Sequence, residues 1–409
     1  MTGASRLASL FGLPLEALFT IPAQQIGAFL AEAWLALRRS SAIPDVPPLA
    51  PSLGLIGEAL VDRTFSLLTS VMTGVPRPEA VRRMVDELEQ AHALYAERGW
   101  LRDPASYHRT PPAVNEVERQ RSAAFAGRSL LGFDHVRFPS GYQPFAGEPG
   151  RERWLAHPRN GTAHVYVLEH PEPRPWLVGV HGFAMGTPLT NFAGFPVRML
   201  HEELGLNLAL PVLPLHGPRG TGRVSGGEVL SPDYMRMVQL FSQGVWDVRR
   251  TLSWLRARSD QPIGLYGISL GGYVSSLVAA FEPELACVIA GIPCVDFPSL
   301  ASDNQPWVMR RYGDEFEVDW QRVRAVSHVV SPLSFAPLPP RHRRFIYAGI
   351  ADRVVKPYQA RALWRHWEEP EIHWFSGGHV LGIWNPSIRE FLAEALEKSG
   401  MVIKRPSRA

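Results

Sequence analysis

Two regimes of hydrophobic patterning divide the chain. Up to about residue 125, apolar residues recur at helical spacing; from about residue 130 they fall into short runs of strand length alternating with helical stretches. The clearest early helix is PEAVRRMVDELEQAHALYAERG, where Val81, Val85, Leu88, Ala91 and Tyr95 make one apolar stripe between charged positions. Its proline start and glycine stop suit a helix of that length. QQIGAFLAEAWLALRR and GLIGEALVDRTFSLLTSVM read as two more helices, separated by the proline-rich AIPDVPPLAPS. The run Ile26 to Leu37 is apolar nearly all round, with Glu32 as its only charge, and must be covered. At about 1.5 Å per residue it spans roughly 18 Å, too short for the roughly 30 Å hydrocarbon core of a bilayer. Packing against the rest of the protein is expected; the alternative is peripheral contact with a membrane surface, with Arg38 and Arg39 near the headgroups.

The second regime contains HVRF, AHVYVLEH, PWLVGVHG and LNLALPVLPLHG, then a long helix whose stripe is Met237, Phe241, Val245, Val248, Leu252 and Leu255. IGLYGI, LACVIAGIP, RRFIYAGI, the helix around PYQARALWRHW, EIHWF and a last helix, SIREFLAEALEKSG, follow. WLVGV and LACVIAGI are apolar on both faces, as strands of a parallel sheet covered by helices on each side must be. The pattern predicts an α/β fold with a mostly parallel central sheet and helices on both faces. An N-terminal helical extension is expected over 1–130, and the α/β domain over 131–409 with a lid insertion over 294–342. In open sheets of this kind the site lies beyond the carboxyl ends of the strands, so the residue after each apolar run is the place to look for chemistry.

Composition narrows the picture. Among 409 residues, 42 basic and 39 acidic side chains nearly cancel to a net +3, which leaves no field suited to nucleic acid. Two cysteines, Cys287 and Cys294, lack the spaced partners of a metal site or a disulfide framework; no cofactor and no metal are expected. Pro14, Glu16 and Pro22 interrupt the apolar N-terminus, so it does not read as a signal peptide and a cytoplasmic location is expected.

The stretch LYGISLGGYVSS sets Ser269 between Gly267 and Gly271, directly after an apolar run and directly before a helix. A strand that turns at once into a helix forces the turning residue into a strained conformation and demands small neighbours, which is the physics of a nucleophile elbow. Other strand ends carry His181-Gly182-Phe183, Asp352 in AGIADRVVKP and His379 in SGGHV. Serine, acid and histidine thus follow one another in chain order.

This constellation resembles the α/β-hydrolase superfamily, over roughly residues 130 to 398. More weakly, a helical extension followed by a complete hydrolase core resembles abhydrolase-domain-containing proteins of the 18 type and bacterial prolyl-oligopeptidase-like esterases. The resemblance implies Ser269 as nucleophile, His379 as general base and Asp352 as its orienting acid, with the backbone N–H groups of Phe183 and Leu270 as oxyanion hole. Asp296, in GIPCVDF, is the alternative acid. His181 is expected to organise the oxyanion loop, His216 and Arg219 to be solvated, and Cys294 to be a small apolar packer; His92 and His373 have no evident role. The insertion, with Trp307, Met309, Tyr312, Phe316 and Trp320, is expected to cap an apolar pocket. The implied activity is a serine carboxylic-ester hydrolase (esterase/lipase-like) acting on a small-molecule or lipid ester. An acyltransferase, a serine peptidase and a non-catalytic binding protein are the alternatives.

Overall fold

A computed structural model describes residues 43–49, 52–73, 77–127, 129–222, 224–231, 233–304 and 315–402. The helix expected around Ile26 to Leu37 lies outside the described residues, as do Trp307, Met309 and Tyr312. Among the described residues, two helices precede the sheet, α1 (Leu53–Thr73) and α2 (Pro78–Glu97). In α2 the expected stripe is inward, with Val81, Leu88, Ala91 and Tyr95 buried and Val85 half-buried, and the helix ends just before Gly99, whose φ of 77° favours a residue without a Cβ.

The α/β part begins with β1 (Glu118–Ala126), β2 (Ser129–Pro139), α3 (Arg151–Leu155), β3 (Thr162–Leu168), β4 (Trp176–Val180) and α4 (Pro188–Gly194). Next come β5 (Asn207–Pro211), α5 (Tyr234–Arg256), β6 (Ile263–Ile268), α6 (Leu270–Val278), β7 (Cys287–Gly291) and α7 (Phe297–Asn304). The remainder is α8 (Trp320–Ser327), β8 (Arg344–Gly349), α9 (Pro357–His366), β9 (Glu371–Phe375) and α10 (Pro386–Lys398).

Among the described residues, nine strands form one sheet in the order β1-β2-β3-β5-β4-β6-β7-β8-β9. The first three and their junction with β5 are antiparallel; from β5 to β9 every neighbour is parallel. Every residue of β4 to β8 is buried, and alternation divides their side chains between two cores. Val178, Val180, Leu265, Val288 and Ala290 join Val245, Val248 and Leu252 of α5 on one face, while Leu177, Tyr266, Ile268 and Ile289 join Phe391, Leu392 and Leu396 of α10 on the other. Each large apolar side chain so removed from water contributes roughly 1.5–3 kcal/mol before conformational entropy is charged against it.

The sheet starts earlier than the pattern predicts. Glu118–Ala126 falls within the stretch expected to be helical, and ERQRSAAFA carries good helix formers, yet it is an edge strand paired with β2 from Glu118↔Arg137 to Ala126↔Ser129. Cross-strand ion pairs of Arg119 and Arg121 with Asp134, at 3.9 and 3.3 Å, accompany that register. Pairing with a neighbour outweighs local propensity here.

The chain runs from β4 to β5 on one side of β4 and then returns to β6 on the other. The carboxyl ends of strands flanking such a reversal are where open sheets place their sites, and the loops after β6, β8 and β9 meet here.

Candidate active site

Ser269 ends β6 and caps α6 with φ 56° and ψ −113°, a conformation that only a strongly determined turn imposes on a serine. A Cβ on Gly267 would lie 2.1 Å from the Gly271 carbonyl oxygen, and one on Gly271 would lie 1.9 Å from that of Val180. The two flanking glycines are therefore required by backbone contact, with the helix in one case and with β4 in the other. The Ser269 N–H donates to Gly291 O of β7 at 2.8 Å, which pins the turn to the sheet.

The loops after β8 and β9 bring the other two side chains in. Ala351 N donates to Gly377 O at 3.0 Å, so these loops run side by side. His379 Nε2 lies 2.9 Å from Ser269 Oγ, and His379 Nδ1 lies 2.6 Å from Asp352 Oδ2. Asp352 Oδ1 accepts from the N–H groups of Val354 and Val355 at 2.9 and 2.7 Å, fixing the carboxylate against its own loop. Both His379 and Asp352 are buried. Burial disfavours the imidazolium of His379, but attraction to Asp352 and the hydrogen bond His379 donates to it, with a further contribution from Asp62, outweigh it and raise the pKa. With Asp352 accepting at Nδ1, the neutral ring carries its proton there and offers Nε2 to the serine as an acceptor.

Asp296 does other work. Its carboxylate accepts from Ser299 N and Oγ at 3.1 and 2.5 Å, closing the first turn of α7, and it pairs with Arg324 at 3.3 Å.

The loop after β4 lies against the elbow, with the Cβ position of Gly182 only 3.4 Å from Ser269 Cβ. His181 sets its shape: Nδ1 lies 2.8 Å from Gly182 O, and Nε2 accepts from Leu213 N at 3.0 Å. Burial, with the neighbouring His216, pushes the His181 pKa down to about 3, which keeps the ring neutral. Phe183 follows in this loop, and Leu270 opens α6, where the first N–H groups of a helix have no intrahelical acceptor.

His216 and Arg219 are not solvated, contrary to the sequence expectation; both are fully buried. The Arg219 guanidinium donates to Val212 O and Asn160 O, each at 2.8 Å, and pairs with buried Asp247 of α5 at 2.8 Å. The basic, glycine-rich appearance of PLHGPRGTGR hid a polar strut beneath the loop. Cys294 is buried and its thiol is pushed far up by burial, as befits a packing residue. His373 sits at the far face, 2.9 Å from Ser387 Oγ.

Sequence reasoning missed the contribution of α1. Asp62, fully buried, accepts from His379 N and Arg353 N through Oδ2 at 2.8 and 2.9 Å, and from Val380 N through Oδ1 at 2.9 Å. One turn earlier, Glu58 Oε2 accepts from Gly378 N at 2.7 Å. Phe65, on the same helix, meets Phe183 edge-on with ring centroids 6.4 Å apart. The signal available was slight: two acids at i and i+4, with Arg63 beside the second, on a largely apolar helix, the usual sign of a solvated edge. The insertion joins the same assembly, since Asn304 of α7 accepts from Ser66 Oγ at 3.2 Å and donates to Val354 O at 3.0 Å.

A parallel sheet that turns through a strained Ser269 into a helix, with acid and histidine following at later strand ends, defines the α/β-hydrolase fold. No family model matches the chain. Two proteins of Mycobacterium tuberculosis, each bearing the description uncharacterized, do match: one from strain CDC 1551 / Oshkosh at 39% identity and one from strain H37Rv at 38%, each over 93% of this chain and 91% of its own length. The chain belongs to the same family as these two proteins. Among solved structures it is similar to an acetyl xylan esterase from Paenibacillus sp. R4, with TM-score 0.49 and 14% identity over 73% of this chain and 98% of that one. Acetyl xylan esterase 1 from Thermoanaerobacterium sp. JW/SL YS485 gives TM-score 0.47 and 13% identity over 74% and 93%.

Proposed function

We propose that this protein is a serine hydrolase that cleaves carboxylic esters through an acyl-enzyme. The observation that carries the reading is the relay of Ser269 Oγ, His379 and Asp352, at 2.9 and 2.6 Å, with the half-buried serine on a strained strand-to-helix elbow. Ser269 Oγ attacks the ester carbonyl while His379 Nε2 takes its proton, and the imidazolium then returns that proton to the departing alkoxide. Water, deprotonated by the same nitrogen, releases the acid and restores the serine. Asp352 holds the ring in the tautomer that leaves Nε2 free to accept. The Phe183 and Leu270 N–H groups are the donors for the oxyanion, formed where charge develops.

Substrates with an apolar acyl or alcohol portion fit this reading, because Phe65 packs edge-on against Phe183, the residue after Gly182, whose Cβ position lies 3.4 Å from Ser269 Cβ. The test is labelling with a fluorophosphonate, mapping of the adduct, and turnover of p-nitrophenyl esters of increasing chain length. An adduct at Ser269 and ester cleavage are expected. Stoichiometric labelling elsewhere, with Ser269 unmodified, overturns the assignment.

A further inference from the structure

The reading above uses three side chains from the loops after β6, β8 and β9, but the loop carrying the base is held from outside the sheet. The carboxylate of Asp62 is the shared acceptor for three backbone N–H groups: Arg353 in the acid loop, and His379 and Val380 in the histidine loop. Glu58 takes a fourth, from Gly378. The glycines of SGGHV acquire a reason from this contact. A Cβ on Gly378 would lie 2.9 Å from Asp62 Oδ2, and one on Gly377 would lie 3.0 Å from Glu58 Oε2 and 2.8 Å from the Phe375 ring. The loop is bare so that α1 can seat its carboxylates on the backbone.

We propose that Asp62 of α1 is a positioning residue for the general base, fixing the height of His379 against Ser269 and supplying negative charge beside the imidazolium. A carboxylate suits this task because it accepts at both oxygens; an amide has one acceptor and would turn its NH₂ toward N–H donors. Hydrogen bonding to one backbone site alone would anchor α1. Bridging both loops through a single group instead couples the separation of base and acid to the helix.

The charged groups around Asp62 are Asp352 and His379 on the loops, Arg353 beside them, and Glu58 and Arg63 on its own helix. Burial and the Asp352 charge raise its pKa to about 7, while His379 and the N–H donors of Val380 and His379 pull it down. Asp62 and His379 therefore titrate as a coupled pair, each favouring the charged form of the other.

This inference rests on the serine-hydrolase reading, and the experiment separates the two. Asp62→Asn and Glu58→Gln are compared with the full-length protein for kcat, KM and the pH profile on a p-nitrophenyl ester, for fluorophosphonate labelling rate, and for His379 ring titration by NMR. Asp62→Asn is expected to lower kcat by about 10²-fold with little change in KM, the scale of a small misplacement of a catalytic group. Labelling slows in parallel, and both the acidic limb of kcat/KM and the His379 titration move to lower pH. Glu58→Gln shifts the same readouts less. A lower melting temperature with kcat and the acidic limb unchanged would make Asp62 a structural anchor and overturn the proposal. If Asp62→Asn does not fold, wild-type kinetics and His379 titration in Glu58→Gln overturn it equally. A wild-type protein unlabelled at Ser269 defeats the underlying reading instead.

Discussion

Asp352 grips His379 from the side of the ring opposite the serine, its Oδ2 2.6 Å from Nδ1 while its other oxygen is held by two N–H groups of its own loop. Removing its negative charge reverses the tautomer preference and takes the acceptor away from Ser269. Asp352→Asn is expected to lower kcat by about 10⁴-fold with the fold intact. Asp296→Asn is expected to stay near wild type, because asparagine still caps α7. Steady-state kinetics on the two variants, with circular dichroism as the folding control, decide it; a larger loss in Asp296→Asn reverses the assignment.

Ser269→Ala is expected to abolish ester turnover and active-site labelling together, since no other group occupies the elbow. Mass spectrometry of the labelled protein checks this. Retained labelling in the alanine variant contradicts the nucleophile assignment.

The pH dependence of turnover follows from the raised pKa of His379. Only the neutral ring accepts the serine proton, so kcat/KM should climb with pH through a midpoint above the ordinary 6.5 of a histidine. A pH–rate profile with its acidic midpoint below 6.5 is inconsistent with the network around this ring.

Stability has a separate pH signature. His181 and His216 are buried with folded pKa values of about 3 and about 4, depressed first by burial. Between these values and 6.5 the unfolded chain binds more protons, so stability is fully present above 6.5 and lost as pH falls. By pH 4 each contributes a loss on the order of 3 kcal/mol. Urea unfolding from pH 7 to 4 measures the slope, and His216→Gln should flatten it.

The elbow glycines set a packing limit. Gly271→Ala places a methyl carbon 1.9 Å from Val180 O, a main-chain atom of a central strand that has nowhere to go. A loss above about 4 kcal/mol, or failure to accumulate soluble protein, is expected. Gly147→Ala, at a φ of 82° with nothing within 4 Å of the added carbon, serves as a strained but unclashing control.

What the sequence disclosed and what it concealed have physical causes. The elbow, the acid loop and the histidine loop are legible because each is a local exception, a reactive side chain placed directly after an apolar run. The parallel strands are legible because burial on both faces leaves no polar alternation. Glu118–Ala126 was not, since an edge strand with one solvated face and several helix-forming residues has no local mark of its pairing. Arg219 and His216 read as solvated because burial of a cation is decided by a partner, Asp247, on another element. Asp62 was hidden most completely, because its meaning lies in three N–H groups that spacing along one helix cannot reveal.

The bond from Asp62 to His379 spans 317 positions of the chain, and this sets an order of events during synthesis. At about 5–20 residues per second, Asp62 leaves the ribosome on the order of 15–60 s before the loop it holds has been made. Throughout that interval α1 carries two acids without their N–H partners, and the sheet can assemble strand by strand while the base remains unplaced. A nascent chain stalled before residue 378 should therefore contain the finished elbow and lack a working serine, so that reactivity toward a fluorophosphonate appears only as the last strand and its loop emerge.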